Sequence, residues 1–310
     1  MSDFLISMVI PVFDEEKLIY KNIITIKETL ESNNINFEFI IIDDGSKDNT
    51  WNEIERLSKE IPTLQAYKFS KNFGKEAALC AGLDKAKGDG IIVMDADLQH
   101  PPAIIPQMVN LWKNEKYDVV DGIKESRGKE KFLNFLSAGL FYKMLNKFSG
   151  INLKDASDYK LLDRKVVEAW KMLPEKDTFF RAMSFWVGFN RTSISYRVEK
   201  RTEGESKWSL LSLFKLAITA ITSFSAIPLH IVTFLGVIFL IGSFGLSIHT
   251  LYMKFSGEAV SGFTTVILLI LITGSALMIS LGIIGIYISR IYEEVKRRPR
   301  YIISKQIDGK

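Results

Sequence analysis

Ile91-Ile92-Val93-Met94-Asp95-Ala96-Asp97-Leu98-Gln99-His100 reads as an apolar strand that empties directly into two carboxylates at positions i and i+2. Hard divalent cations such as Mg²⁺ and Mn²⁺ take oxygen ligands and usually bridge one or two carboxylates to substrate phosphates. Asp95 and Asp97 at a strand end therefore point to a cation that holds a diphosphate. The tripeptide is common in ordinary polar turns, so its meaning depends on what surrounds it.

Upstream, apolar strands end repeatedly in polar turns. Residues 4–13 run into Asp14-Glu15-Glu16, residues 37–42 stop at Asp43-Asp44-Gly45-Ser46, and Leu64–Phe69 ends in Ser70-Lys71-Asn72-Phe73-Gly74-Lys75. The intervals fit helices over residues 17–30, Thr50–Glu60 and 77–86, the last rich in small residues that pack closely on a sheet. Strand alternating with helix predicts an α/β fold with a doubly wound, mainly parallel sheet. Ligands of such sheets bind outside the carboxyl ends of the strands, where Asp14, Asp43, Asp44, Gly74, Asp95 and Asp97 all fall. No Gly-x-Gly-x-x-Gly follows the first strand and no Gly-x-x-x-x-Gly-Lys-Ser/Thr occurs, which removes the main support for a dinucleotide or P-loop site. Carboxylates that read a base and ribose while a metal holds the phosphates describe a nucleotide-sugar site instead.

Pro11-Val12-Phe13-Asp14-Glu15, Asp43-Asp44-Gly45-Ser46, Asn72-Phe73-Gly74-Lys75 and Asp95-Ala96-Asp97-Leu98-Gln99 follow one another in an order that resembles the GT-A family 2 glycosyltransferases. Within that family the chain looks most like the polyprenyl-phosphate glycosyltransferases, the group of dolichol-phosphate mannose synthase and the bacterial bactoprenol glucosyltransferases. The resemblance covers essentially the whole chain. It extends through Asp155-Ala156-Ser157-Asp158-Tyr159-Lys160-Leu161-Leu162-Asp163-Arg164, through Arg201 and Gly204-Glu205-Ser206-Lys207-Trp208, and to Arg298-Pro299-Arg300-Tyr301.

The resemblance implies a GT-A, Rossmann-like fold and inverting transfer of a sugar from a UDP-sugar to undecaprenyl or another polyprenyl phosphate, for modification of a cell-envelope glycan. UDP-glucose is the expected donor and UDP-N-acetylglucosamine the alternative. It implies a nucleotide-sugar site at Pro11, Phe13, Glu15, Asp43, Asp44, Gly74, Lys75, Asp95, Ala96 and Asp97, and Mg²⁺ or Mn²⁺ on Asp95, Asp97 and Gln99. Catalytic roles fall to Asp97 and Asp158. Arg127, Arg201 and Lys207 match positions for the acceptor phosphate, which suits the bidentate geometry of guanidinium groups. Asp158 matches a proposed catalytic carboxylate, although a phosphate dianion is nucleophilic at neutral pH without a strong base. The chain departs from the usual pattern at Asp14, where Asn is frequent, at Lys124 and Lys160, where Arg is frequent, and at Trp208, where Tyr or Phe is frequent.

At 310 residues and 47% hydrophobic composition, the chain is long enough for one soluble core and an appended membrane part. The single Cys80 cannot form an internal disulfide and reads as a packing residue. His100, His230 and His249 are too scattered for a zinc set, and a formal charge of +4 is too mild to suggest nucleic acid. After Trp208 the material changes. Residues 210–224 place Leu213, Leu216, Ala217, Ala220, Ile221 and Phe224 on one helical face, which suits an interfacial helix that Pro228 ends. Residues 231–251 and 263–289 are apolar stretches, each longer than the about 20 helical residues that cross a hydrocarbon core.

Residues 1–208 thus read as a cytoplasmic catalytic domain, 209–228 as an interfacial helix, 229–289 as two transmembrane helices and 290–310 as a basic tail. Lys200, Arg201, Lys207 and Lys215 precede the first span and Arg290, Lys296, Arg297, Arg298 and Arg300 follow the second, a bias that places both termini in the cytoplasm. Residues 4–12 lack a basic leader and read as a core strand, not a signal peptide. The expected setting is a bacterial plasma membrane, with the bilayer itself a partner and a homo-oligomer built on Gly236, Gly242, Gly245, Gly274, Gly282 and Gly285. A processive polysaccharide synthase would carry Gln-x-x-Arg-Trp and more spans. A transporter would also need more spans, and an inactive membrane-anchored scaffold would have lost the acidic motifs that this chain keeps.

Overall fold

The computed structural model describes residues 4–124, 157–173, 180–197, 227–257 and 262–309. They fall into two compact units, one holding the described residues up to Arg197 together with 299–309, the other holding two long helices.

The first unit is an α/β sheet. Strands β1 (Leu5–Val12), β2 (Asn36–Asp43), β3 (Leu64–Phe69) and β4 (Gly90–Val93) are parallel, with β4 on one side of β1 and β2 then β3 on the other. Met8, Val9, Ile10 and all of Phe39, Ile40, Ile41 and Ile42 are fully buried, as expected of parallel strands covered on both faces. β5 (Val119–Lys124) and β6 (Lys160–Asp163) continue the sheet antiparallel, and β7 (Arg191–Tyr196) joins parallel to β5. The full order is β7-β5-β6-β4-β1-β2-β3-β8, with β8 (Ile303–Ile307) at the edge beyond β3. The chain winds outward in opposite directions from the β1/β4 pair, which makes that pair the switch point where ligand clefts form.

Helix α1 (Ile19–Ser32) buries Ile19, Ile23, Ile26 and Leu30, spaced three and four apart along one face. α2 (Thr50–Glu60) does the same with Trp51, Ile54 and Leu57. α3 (Lys75–Lys85) is buried continuously from Ala78 to Leu83, and a Cβ at Gly82 would run into the Val9 side chain, so glycine there lets α3 lie directly on β1. Cys80 is a buried free thiol, in keeping with a packing role. α4 (Ile105–Lys113), α5 (Arg164–Lys171) and α6 (Phe180–Trp186) complete the described helices of this unit.

The second unit consists of α7 (Ile227–Phe255) and α8 (Phe263–Val295). Both contain stretches, Val232–Phe255 and Ile272–Val295, long and apolar enough to cross a membrane. Pro228 sits in the first turn of α7, where its missing N–H costs nothing. The interfacial helix expected over 210–224 lies outside the described residues.

Two expectations need revision. α8 runs on past Ser289 to Val295, so the helix is longer than its uncharged stretch. Residues 290–310 are also more than a basic tail, because β8 pairs antiparallel with β3. Ser70 N–H donates to Ile302 O at 2.9 Å, Tyr301 stacks on Phe69 with centroids 5.0 Å apart, and Arg300 Nη2 donates to Leu173 O at 3.0 Å.

Candidate active site

In the parallel register Val12 lies opposite Asp43 and Val9 opposite Val93, so the turns after β1, β2 and β4 emerge on one edge of the sheet. A cleft of about 370 Å³ opens there. Pro11, Phe13 and Glu15 form its wall on the β1 side, Asp44, Gly74 and Lys75 line the β2 and α3 side, and Asp95, Ala96 and Asp97 come from the turn after β4. Nine of the residues expected in the nucleotide-sugar site therefore share one cavity, with Val12, Asn72 and Ala78 added to it.

The turns are laced to one another by backbone-to-side-chain bonds. Asp14, at a left-handed φ of 54°, donates its N–H to Ser46 Oγ at 2.9 Å and accepts from Lys47 N at 2.9 Å. Glu15 N–H donates to Thr50 Oγ1 at 2.8 Å. Asp44 is turned toward the start of α3, accepting from Phe73 N at 2.7 Å and Gly74 N at 2.9 Å, where a carboxylate meets the positive end of the helix. Burial raises the Asp44 carboxyl against the lowering effect of those two bonds. α3 begins at Lys75, two residues earlier than the small-residue run suggests, with Gly74 as the residue before its first turn.

Asp43 is placed differently from the rest. It is fully buried, accepts from Ser46 N at 2.7 Å and lies 3.4 Å from Lys68 Nζ, so its carboxylate shapes the Asp43–Ser46 turn from beneath. It is not among the residues of the cleft wall.

A chain of alternating charge leads away from the cleft wall at Asp95 and Lys75. Lys75 Nζ lies 2.5 Å from Asp95 Oδ1 and 2.9 Å from Asp158 Oδ2. Arg181 grips the same Asp158 in bidentate fashion, Nε to Oδ1 at 2.7 Å and Nη2 to Oδ2 at 2.8 Å. Burial works to raise the Asp158 carboxyl, but the Arg181 bonds and the Lys75 charge outweigh it and hold the group well below the usual carboxylate range. Burial likewise works against the charge on Lys75, and Asp95 and Asp158 reverse it, leaving the ammonium raised. Next to Lys75, burial pushes the Glu76 carboxyl up to about 7, although Phe180 N–H donates to it at 2.8 Å.

Behind Asp158, the fully buried Lys160 Nζ donates to Ser184 Oγ at 2.7 Å and lies 3.3 Å from Asp121 Oδ1, and Arg191 Nη2 reaches Asp121 Oδ2 at 2.8 Å. Ser184 Oγ donates in turn to Arg181 O at 2.8 Å, so this buried network fixes the helix that carries Arg181. Lys160 thus serves beneath the site.

The carboxylates of Asp95 and Asp97 fit a hard divalent cation. They are oxygen donors on the cleft wall, and a cationic group already rests against Asp95. Among the described residues no cluster of three or more acidic, His or Cys side chains forms. Gln99 meets Asp97 through its backbone, its N–H donating to Asp97 Oδ1 at 3.0 Å. Arg127, Arg201 and Lys207 lie outside the described residues.

Sequence reasoning passed over Arg181 and His100. Arg181 stands alone in the apolar run Phe179-Phe180-Arg181-Ala182-Met183, and a lone cation in such a setting is a signal that a partner carboxylate waits in the fold. His100 belongs to no zinc set, and its part in the site is a backbone contact that the sequence does not signal: its Nδ1 accepts from Asp95 N–H at 3.1 Å.

The doubly wound sheet, with its cleft at the carboxyl ends around the switch point, defines a GT-A-like α/β fold. Residues 7–170 match the family Glycosyl transferase family 2. The SfII prophage-derived bactoprenol glucosyl transferase of Shigella flexneri is 38% identical over 310 residues, covering 98% of this chain and 99% of that protein. An uncharacterized glycosyltransferase of Bacillus subtilis (strain 168), YkcC, is 37% identical over 301 residues, covering 96% and 93%. Among solved structures, glucosyl-3-phosphoglycerate synthase from Mycobacterium tuberculosis, crystallised with Mn²⁺, uridine diphosphate and phosphoglyceric acid, shares the fold at a TM-score of 0.50. It is 19% identical, with 71% of this chain and 76% of that one covered. The chain belongs to glycosyltransferase family 2.

Proposed function

We propose that this glycosyltransferase moves a sugar from a UDP-sugar, glucose first and N-acetylglucosamine second, to undecaprenyl or a similar polyprenyl phosphate at the cytoplasmic face of a bacterial plasma membrane. The observation that carries the reading is the pair Asp95 and Asp97 on the wall of one cleft with Phe13, Glu15, Asp44 and Lys75. Near-full-length similarity to a bactoprenol glucosyl transferase supports the lipid acceptor. α7 and α8 support a membrane setting for an acceptor whose phosphate sits at headgroup level.

In this reading Phe13, Glu15 and Asp44 bound the pocket for the nucleoside, and Asp95 and Asp97, with Gln99, hold Mg²⁺ or Mn²⁺. The bound cation supplies Lewis-acid neutralisation of charge developing on the diphosphate. The acceptor phosphate oxygen attacks the anomeric carbon opposite the departing diphosphate, and configuration inverts. Asp158 takes no proton, because Lys75 and Arg181 hold it as an anion and a phosphate dianion needs no base. Its role is to keep Lys75 and Arg181 in place where negative charge gathers. Arg127, Arg201 and Lys207 receive the acceptor phosphate. A homo-oligomer fits the glycines of α7 and α8: a Cβ added at Gly236, Gly242, Gly245, Gly274, Gly282 or Gly285 would meet nothing within 4 Å, so packing within the described pair does not require them.

The test is transfer by the purified full-length protein in vesicles containing undecaprenyl phosphate, with a panel of labelled UDP-sugars and with Mg²⁺, Mn²⁺ or EDTA. Transfer from UDP-glucose that stops in EDTA and falls by orders of magnitude in Asp95→Asn and Asp97→Asn is the expected result. Full activity of either variant in EDTA would refute the metal assignment, and a lipid product from no UDP-sugar would refute the donor class.

A further inference from the structure

The turn that carries Asp95 and Asp97 is held in an unfavourable shape. Leu98 adopts φ 55°, a left-handed conformation that a residue with a side chain rarely takes and that persists only where neighbours enforce it. Three bonds do so. Gln99 N–H donates to Asp97 Oδ1 at 3.0 Å, buried Asn22 donates from Nδ2 to Ala96 O at 2.6 Å, and Asp95 N–H donates to His100 Nδ1 at 3.1 Å.

The third of these bonds links two parts of the site. The His100 ring is buried, stacked on Tyr159 with centroids 4.8 Å apart and planes 13° apart, and met edge-on by Tyr196 at 6.2 Å. Tyr159 is itself fully buried and donates its hydroxyl to Pro101 O at 3.0 Å. Tyr159 directly follows Asp158. One imidazole therefore ties the backbone of Asp95 to the strand entrance that carries Asp158, and it can accept from Asp95 only through an Nδ1 without hydrogen.

We propose that His100 is a positioning residue for the transfer reaction: by accepting from the Asp95 N–H while stacked on Tyr159, it sets the two carboxylates of the cation pair in register with Asp158. The proposal rests on Asp95 and Asp97 being that pair. The acceptor atom and the ring make separable contributions. His100→Phe keeps an aromatic ring on Tyr159 but removes the acceptor. His100→Asn removes the ring but returns an oxygen at nearly the place of Nδ1.

The experiment measures Mn²⁺ affinity in the presence of UDP by electron paramagnetic resonance of free Mn²⁺, without turnover, for wild type, His100→Phe, His100→Asn and Asp95→Asn, with thermal unfolding as the check on fold. Loss of one backbone bond at the motif is expected to weaken Mn²⁺ binding in His100→Phe on the order of tenfold, with His100→Asn recovering most of it. In transfer assays kcat should fall in His100→Phe while KM for the prenyl acceptor stays put. Wild-type Mn²⁺ affinity in His100→Phe would overturn the proposal, as would equal loss in His100→Asn, which would make the ring's packing the cause. Equal binding by wild type and Asp95→Asn would refute the cation reading itself, and the proposal with it.

Discussion

Replacing Arg181 by Met removes both bonds of the bidentate grip on Asp158, at 2.7 and 2.8 Å, while keeping an unbranched stem. Stripping one partner from a buried ion pair costs about 3–5 kcal/mol. Here the Asp158 side chain is 9% exposed but that of Arg181 is 38% exposed, and Lys75 stays within 2.9 Å, so the loss should be smaller, about 2 kcal/mol after allowance for solvent screening. If that energy is felt in the transition state, kcat falls about thirtyfold.

The pH dependence tests the cause. Asp158 in the wild type has a depressed carboxyl, so its ion-pair stabilisation is present above the unfolded-state value and is lost only as pH falls through the lower native one. Its kcat should therefore show no acid limb from this group between about pH 5 and pH 8. In Arg181→Met burial is opposed by Lys75 alone, the carboxyl rises, and an acid limb should appear. The assay is kcat at saturating acceptor across that range in a Glu76→Gln background, since Glu76 titrates near 7 beside the site. Arg181→Lys, which keeps charge but not the fork, should fall between. An unchanged kcat and profile in Arg181→Met would refute the clamp.

Glu76 carries the opposite sign. Its folded carboxyl is raised from 4.5 to about 7, so the native state holds a proton that the unfolded chain has released, and stability should decline as pH rises through that window. Glu76→Gln, which keeps an acceptor for Phe180 N–H, should flatten that decline in chemical denaturation at a series of pH values; an unchanged slope would place the titration elsewhere. Replacing 227–298 by a flexible soluble linker while keeping 299–309 should preserve UDP binding. It should slow transfer to a long prenyl phosphate in vesicles far more than transfer to a short soluble one, because effective concentration at the bilayer is lost. Equal losses on the two acceptors would contradict that role for α7 and α8.

Much of this was legible in the order of residues. β1, β2 and β4 announce themselves because parallel strands buried on both faces must be nearly continuous apolar runs, and β3 at Leu64–Phe69 and the helix Thr50–Glu60 keep the bounds expected from the sequence. The Asp-x-Asp pair and the turns around Asp44 and Gly74 were legible because strand ends at a switch point gather there whatever the loops do. β6, β7 and β8 were not. Lys160–Asp163 is short and begins and ends on charge, Arg191–Tyr196 alternates around Thr and Ser, and Ile303–Ile307 follows a membrane-type helix, where sequence offers no reason to expect a return to the sheet. Asp43 looked like its neighbour Asp44, and only the three-dimensional turn separates the one beneath the loop from the one on the wall. Arg181 and Asp158 are 23 residues apart, and their pairing is a matter of tertiary placement that periodicity cannot express.

The position of β8 also has a consequence for biosynthesis. Residues 303–307 are translated after α7 and α8, so the outer side of β3 lacks its strand partner for as long as both apolar helices take to be made. An open strand edge is a template for wrong pairing. The catalytic sheet can reach its final form only after the membrane-type segment has left the ribosome. A ribosome stalled before residue 299 would hold a sheet with its active-site turns encoded but its edge, and the Tyr301 stack beside the turn that carries Gly74, still missing.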